Sequence, residues 1–140
     1  MKRTAKAHWQ GDLKSGQGHL TTQSGVLSET QYSFNTRFAD GIGSNPEELL
    51  AAAHAGCFTM SIAYALSQQG LTPGELNTTA TVTLDMEKGG ISKIDLELSA
   101  TAIDGVSAEA FEQQAFLAKE NCVISKALAG VEIGLQVHYQ

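Results

Sequence analysis

At 140 residues and 14.8 kDa the chain has room for one modest core and is short for two independent ones, so a single domain over 1–140 is expected. Its 42% hydrophobic and 17% charged residues are those of a soluble globular protein, and a net charge of -6 at pH 7 argues against nucleic acid or an anionic membrane as partner. MKRTAKAHWQ begins with positive charge, but no apolar segment follows, so a secretory signal is not read and a cytoplasmic protein is expected.

Three short alternating patterns open the chain, at 2–10, roughly 18–24 and 31–38, separated by glycine and serine turns such as GDLKSGQG and SGVLS. They predict an N-terminal antiparallel sheet. The helix after them has a marked start: Asn45 as N-cap, Pro46 at the first helical position and Glu48 three residues past the cap. Gly70 marks its end. From Leu49 to Leu66 this helix is apolar nearly all round, and such a helix must be covered on every face. A domain this small has difficulty doing that alone, which predicts a second subunit. The histidine, threonine and serine within the run, and its many alanines, suit a buried core helix better than a membrane span.

Ala80, Val82, Leu84 and Met86, then Ile94, Leu96, Leu98 and Ala100 after Gly89-Gly90, alternate as a β-hairpin with one buried face. Helical spacing returns at 107–120 with Phe111, Ala115 and Ala118 on one stripe, and ENCVISKALAG reads as a short further turn of helix. Val131 to Tyr139 alternate again as a last strand. The predicted order, β-β-β-α-β-β-α-β, is an α+β fold with mostly antiparallel strands.

Two cysteines, neither in CxxC nor in metal-ligand spacing, read as reduced and reactive thiols more than as a staple. On a helix, Glu47, Leu50, His54 and Cys57 follow a 3-4-3 spacing along one stripe. Glu47 stands about 15 Å from Cys57 along the axis, too far for contact, and a cation would have to bridge them. Arg37, in YSFNTRF, is the candidate because its planar fork can meet a carboxylate and a thiolate together. Taken singly these residues have plainer readings. A cysteine in an alanine-rich helix is commonly an inert small hydrophobe, and Glu47 merely suits a helix N-terminus. His54 has no carboxylate three or four residues away to orient it as a base.

AHWQGDLKSGQG, SGVLSETQYSFNTRF, NPEELLAAAHAGCFTM and ENCVISKAL together resemble the osmotically inducible protein C and organic hydroperoxide resistance (OsmC/Ohr) proteins, nearly end to end and closest to the OsmC branch. The resemblance implies an OsmC-like fold, with a long buried central helix and a second helix in an intertwined homodimer. It implies a thiol-dependent peroxidase that reduces organic hydroperoxides without metal or organic cofactor and is recycled by an external dithiol, of lipoyl type in the family. Carried over, Cys57 matches the peroxidatic cysteine, Cys122 the resolving cysteine, Arg37 the thiolate-stabilising arginine and Glu47 its acidic partner. The family pattern has proline after the second cysteine, where this chain has Val123. A tyrosine stands at the position of His54 in the sister branch.

A buried nucleophile then has a purpose, since a hydroperoxide with an apolar tail needs a dry site. Some of Phe58, Met60 and Ile124, beside the cysteines in sequence, are expected to line the approach. Two other functions are open: a non-catalytic binding protein holding a lipid-like ligand in an apolar dimer cleft, and a hydrolase with Cys57 as nucleophile and His54 as base.

Overall fold

The computed structural model describes all residues, 1–140, and places them in two compact units, Met1–Leu49 and Leu50–Gln140. The fold is α+β.

The first unit holds β1 (Ala5–Gln10), β2 (Gln17–Thr22) and β3 (Thr30–Tyr32) in one antiparallel sheet of that order, with Leu20 opposite Ala7 and Thr30. Residues 34–38, expected to continue a strand, instead form α1 (Phe34–Phe38). Two local interactions override the alternation. Ser33 and Thr36 make a full capping box, each side chain accepting from the other's N–H, and Phe34 and Phe38, four apart, bring their rings to 4.8 Å. α2 (Pro46–Gln68) starts where expected: Asn45 Oδ1 accepts from the Glu48 N–H at 2.8 Å. Asn45 spends its amide N–H on the Thr36 carbonyl, which ties α1 to the start of α2.

From Leu50 onward α2 belongs to the second unit. It ends in a Schellman turn: Leu71 N–H bonds Leu66 O, Gly70 N–H bonds Ser67 O, and Gly70 takes φ +73°, a left-handed conformation in which a side chain would be strained. β4 (Leu76–Asp85) and β5 (Gly90–Ala100) form the expected hairpin, turned by an Asp85 side chain that accepts from Glu87 and Lys88 and by Gly89 and Gly90 at positive φ. α3 (Ala108–Asn121) and α4 (Val123–Ala127) then carry the chain across to β6 (Glu132–Tyr139). That crossover makes β6 parallel to central β5, so this sheet is mixed. Ile94, Leu96 and Leu98 of β5, Phe58, Ile62 and Leu66 of α2, and Phe111, Ala115 and Ala118 of α3 form the core. Each large aliphatic buried there stabilises the fold by about 1.5–3 kcal/mol relative to exposure.

The expectation of a helix buried on every side is not met within one chain. α2 buries only His54, Phe58, Ile62 and Leu66, one stripe at spacing four, while Met60 and Tyr64 on another stripe are 75% and 67% exposed. By length and composition α2 is apolar enough to cross a membrane. It is also the core helix of its unit.

Candidate functional site

The two thiols meet because α3 is interrupted. Cys122 N–H closes the last turn of α3 on Ala118 O at 2.9 Å, its backbone leaves helical angles at φ -57°, ψ 125°, and its carbonyl accepts from Lys126 to begin α4. That break sets the Cys122 side chain against α2, where the Cys122 and Cys57 sulfurs lie 2.6 Å apart as free thiols in hydrogen-bond contact. Cys57 is half-buried and Cys122 fully buried. A reactant therefore reaches Cys57 before Cys122.

Burial pushes the Cys57 thiol up, and its hydrogen bond with Cys122 adds to this against the backbone N–H groups of Ile124 and Val123. Burial also raises Cys122, but the hydrogen bond with Cys57 and the N–H and hydroxyl of Ser125 outweigh it and bring Cys122 down. One proton is shared between two sulfurs, so the acidities belong to the pair, and whichever sulfur ionises first accepts the bond. Within this unit the neutral donors favour Cys122. A positive charge beside Cys57 would reverse the order.

His54, three residues before Cys57, is fully buried and held neutral by that burial, which lowers its pKa. Its Nε2 lies 2.8 Å from Ser125 Oγ and its Nδ1 has no partner. The imidazole is thus engaged by Ser125, which weakens the hydrolase reading, where it would serve Cys57. Ser125 itself was missed in the sequence. The available signal was its place in the first turn of the short helix that follows Cys122.

In the first unit, α1 presents Arg37 and the first turn of α2 presents Glu47. Nε and Nη2 of Arg37 both donate to Glu47 Oε1, at 2.9 and 2.8 Å, which fixes the plane of the guanidinium and leaves Nη1 untied. Glu47 Oε2 is buried without a partner. Arg37 also lies over the Phe38 ring and lines a cleft of about 290 Å³ with Trp9, Leu13, Tyr32, Phe34 and Phe38. Sequence reasoning did not name these aromatics because they are scattered over three elements. Of the residues it did name, Phe58 is fully buried in the core, Ile124 is partly buried against it, and Met60 is exposed. No three His, Cys, Asp or Glu side chains converge as metal ligands.

Residues 39–136 match the OsmC-like protein family. The chain belongs to that family. This OsmC-like protein is 44% identical over 128 residues to peroxiredoxin OsmC of Escherichia coli K12, covering 90% of the chain and 89% of the relative. It is 33% identical over 102 residues to an organic hydroperoxide resistance protein-like protein of Staphylococcus aureus USA300, covering 71% and 73%. Among solved structures it is similar to an organic hydroperoxide resistance protein OsmC from Legionella pneumophila, at 28% identity and a TM-score of 0.73, covering 99% and 97% of the two chains. It is also similar to the organic hydroperoxide resistance protein OhrB of Bacillus subtilis, at 26% identity and a TM-score of 0.65, covering 98% of each.

Proposed function

We propose that this OsmC-like protein is a soluble, cytoplasmic thiol peroxidase for organic hydroperoxides, with residues 1–140 acting as one domain in an intertwined homodimer. The observation that carries the reading is the contact between a half-buried and a fully buried thiol at 2.6 Å, within a small adjustment of the about 2.05 Å of a disulfide. The names of the relatives, a peroxiredoxin and hydroperoxide resistance proteins, support the same chemistry.

The Cys57 thiolate attacks the terminal peroxide oxygen. A bond forms from sulfur to that oxygen, the O–O bond breaks, and the alkoxide leaves and takes a proton to become an alcohol. Cys57 is then a sulfenic acid. Cys122 displaces its hydroxyl, forming the Cys57–Cys122 disulfide and releasing water, and an external dithiol, of lipoyl type in the family, reduces the disulfide. Arg37 acts at the first step, its free Nη1 available to the thiolate and to the charge growing on the departing alkoxide. Glu47 holds the guanidinium in orientation. Because Glu47 is ten residues up a regular helix from Cys57, about 15 Å along its axis, we place the Arg37–Glu47 pair beside the Cys57 of the partner subunit. The exposed Met60 and Tyr64 stripe of α2 suits burial in that interface, and the aromatic cleft beside Arg37 suits the organic tail.

Titrating reduced protein with cumene hydroperoxide while counting free thiols tests the reading. One equivalent of peroxide should consume both thiols and release one alcohol. Thiols that survive excess peroxide would leave the apolar ligand-binding alternative in place.

A further inference from the structure

Among the histidines, His54 is bonded to Ser125 and His138 to Glu97. His8 of β1 and His19 of β2 are placed differently. They stand directly opposite one another across the antiparallel pair, with ring centroids 4.8 Å apart and planes inclined by 22°. Each ring stacks on the other, and neither makes a hydrogen bond to protein, so four ring nitrogens are uncommitted. Alternation along the strands turns this pair to the face opposite Trp9 and Tyr32. There it borders a separate cleft of about 340 Å³, shared with Gln10, Gln17, Glu29 and Gln31. His8 is exposed and His19 half-buried. The proposed cycle uses neither of them.

We propose that His8 and His19 form a surface binding site for a divalent transition-metal ion, each giving one ring nitrogen, with water in the remaining positions. Neutral imidazole is a ligand for nickel, copper and zinc, and directly opposite residues of paired strands hold their Cβ atoms about 4.5–5.5 Å apart, close enough for two rings to reach one ion. At metal–nitrogen distances of about 2.0–2.1 Å and an angle of about 90–109°, the two donor nitrogens stand about 2.9–3.4 Å apart. Rings with centroids at 4.8 Å are a side-chain rotation from that spacing, and no bonded protein group has to be displaced first. The backbone beneath them is fixed, because β2 is the middle strand of its sheet and His19 also faces Gln31 of β3. Charge decides little: Glu29 lines the cleft, but Lys6, two residues before His8, lies on the same face. Selection therefore rests on the donors. Two imidazoles favour copper and nickel over manganese, and have no hold on magnesium or calcium, which take oxygen ligands. With no third protein ligand converging on it, the site is open and exchanges its ion readily. It lies wholly in the first unit and stands or falls independently of the peroxidase reading.

The probe is Ni²⁺, which is paramagnetic and, unlike copper(II), does not oxidise thiols. Ni²⁺ titrated into the full-length reduced protein should broaden the imidazole proton resonances of His8 and His19 together, at concentrations that leave the partly exposed His138 sharp. His8→Gln should weaken Ni²⁺ binding at His19 by about 10²-fold, and His19→Gln should do the same at His8, because losing either ring turns a two-point ligand into a one-point ligand. On immobilised Ni²⁺ the untagged protein should be retained. Each single variant should elute with the double variant, and His138→Gln should be retained like the unsubstituted protein, since the loss belongs to the pair and does not add. Broadening of His138 at the same Ni²⁺ concentration, or retention that falls in two equal steps, would mean independent surface histidines and overturn the proposal. So would rings that broaden one without the other. The broadening pattern is read on the unsubstituted protein, so it decides the matter even where a variant folds poorly.

Discussion

The two compact units carry opposite kinds of chemistry. The first holds a charged pair, the exposed Arg37 and the largely buried Glu47, beside an aromatic cleft and contains no thiol. The second holds two neutral pairs, the buried His54 and Ser125 and the contacting thiols of Cys122 and Cys57, and the groups that act on the sulfurs there are uncharged donors or a sulfur. In the proposed mechanism each set needs the other. Burial and the bond with Cys122 make the Cys57 thiol a poor anion by itself, and the guanidinium of the first unit has no nucleophile of its own to activate. The difference teaches why α2 matters: it begins with Glu47 in one unit and presents Cys57 in the other.

The largest effect should come from the nucleophile. Cys57→Ser is expected to abolish peroxide consumption. Cys122→Ser should still turn over once and then accumulate a sulfenic acid that dimedone traps in mass spectra. If both variants lose even the single turnover while folded, the order of events assigned to the two thiols is wrong.

Removing the charge should come next. Arg37→Ala is expected to lower kcat/KM by about 10²–10³-fold, the range for losing a donor to developing anionic charge. Ionisation alone cannot account for so much, since a tenfold gain in thiolate nets only about three- to fourfold in rate. A loss of that smaller size would restrict Arg37 to tuning the thiol. Mixed dimers of Arg37→Ala and Cys57→Ser chains should regain activity, because one complete site assembles; dimers that remain inactive would break the division of labour between subunits.

Smaller again is the effect of the cleft. Each methylene buried by the substrate contributes up to about 0.8 kcal/mol, provided the contact persists in the transition state. Phe34→Ala or Trp9→Ala should therefore reduce kcat/KM for cumene hydroperoxide by several-fold to several tens-fold and leave hydrogen peroxide nearly unchanged. Equal losses on both substrates would mean the aromatics serve packing.

Much of the second unit could be read from the sequence because its elements have one strong period each. The alternation over 80–100 and 131–139 and the stripe Phe111, Ala115, Ala118 are where the structure puts strands and helix. The direction of β6 was not legible, since alternation is the same in parallel and antiparallel neighbours and only the helical crossover decides. YSFNTRF misled because apolar residues at 32, 34 and 38 fit a period of two, while 34 and 38 also fit a helical turn that the Ser33 box selects. For the site, the residue types at Cys57, Cys122, Arg37 and Glu47 stood out through family resemblance, whereas no local pattern could join Cys57 to Cys122 across 65 positions. His54 looked idle for a related reason: its partner lies 71 residues away.

The smallest expected effect concerns His54 and stability. In the unfolded chain its imidazole titrates near the ordinary 6.5, whereas burial depresses that value in the fold. Above pH 6.5 both states hold it neutral, and it adds no pH dependence. As pH falls below 6.5 the unfolded chain takes up a proton that the folded chain refuses, so stability declines until the folded value is reached and then levels off, with a slope of at most about 1.36 kcal/mol per pH unit. Urea midpoints of the reduced protein between pH 8 and pH 5.5 should show this slope, and His54→Gln should flatten it without changing the contribution of the other ionisable groups. Parallel curves for the two proteins would mean that water or a partner group reaches Nδ1 and solvates the imidazolium, and His54 would then belong with the charged half of the molecule.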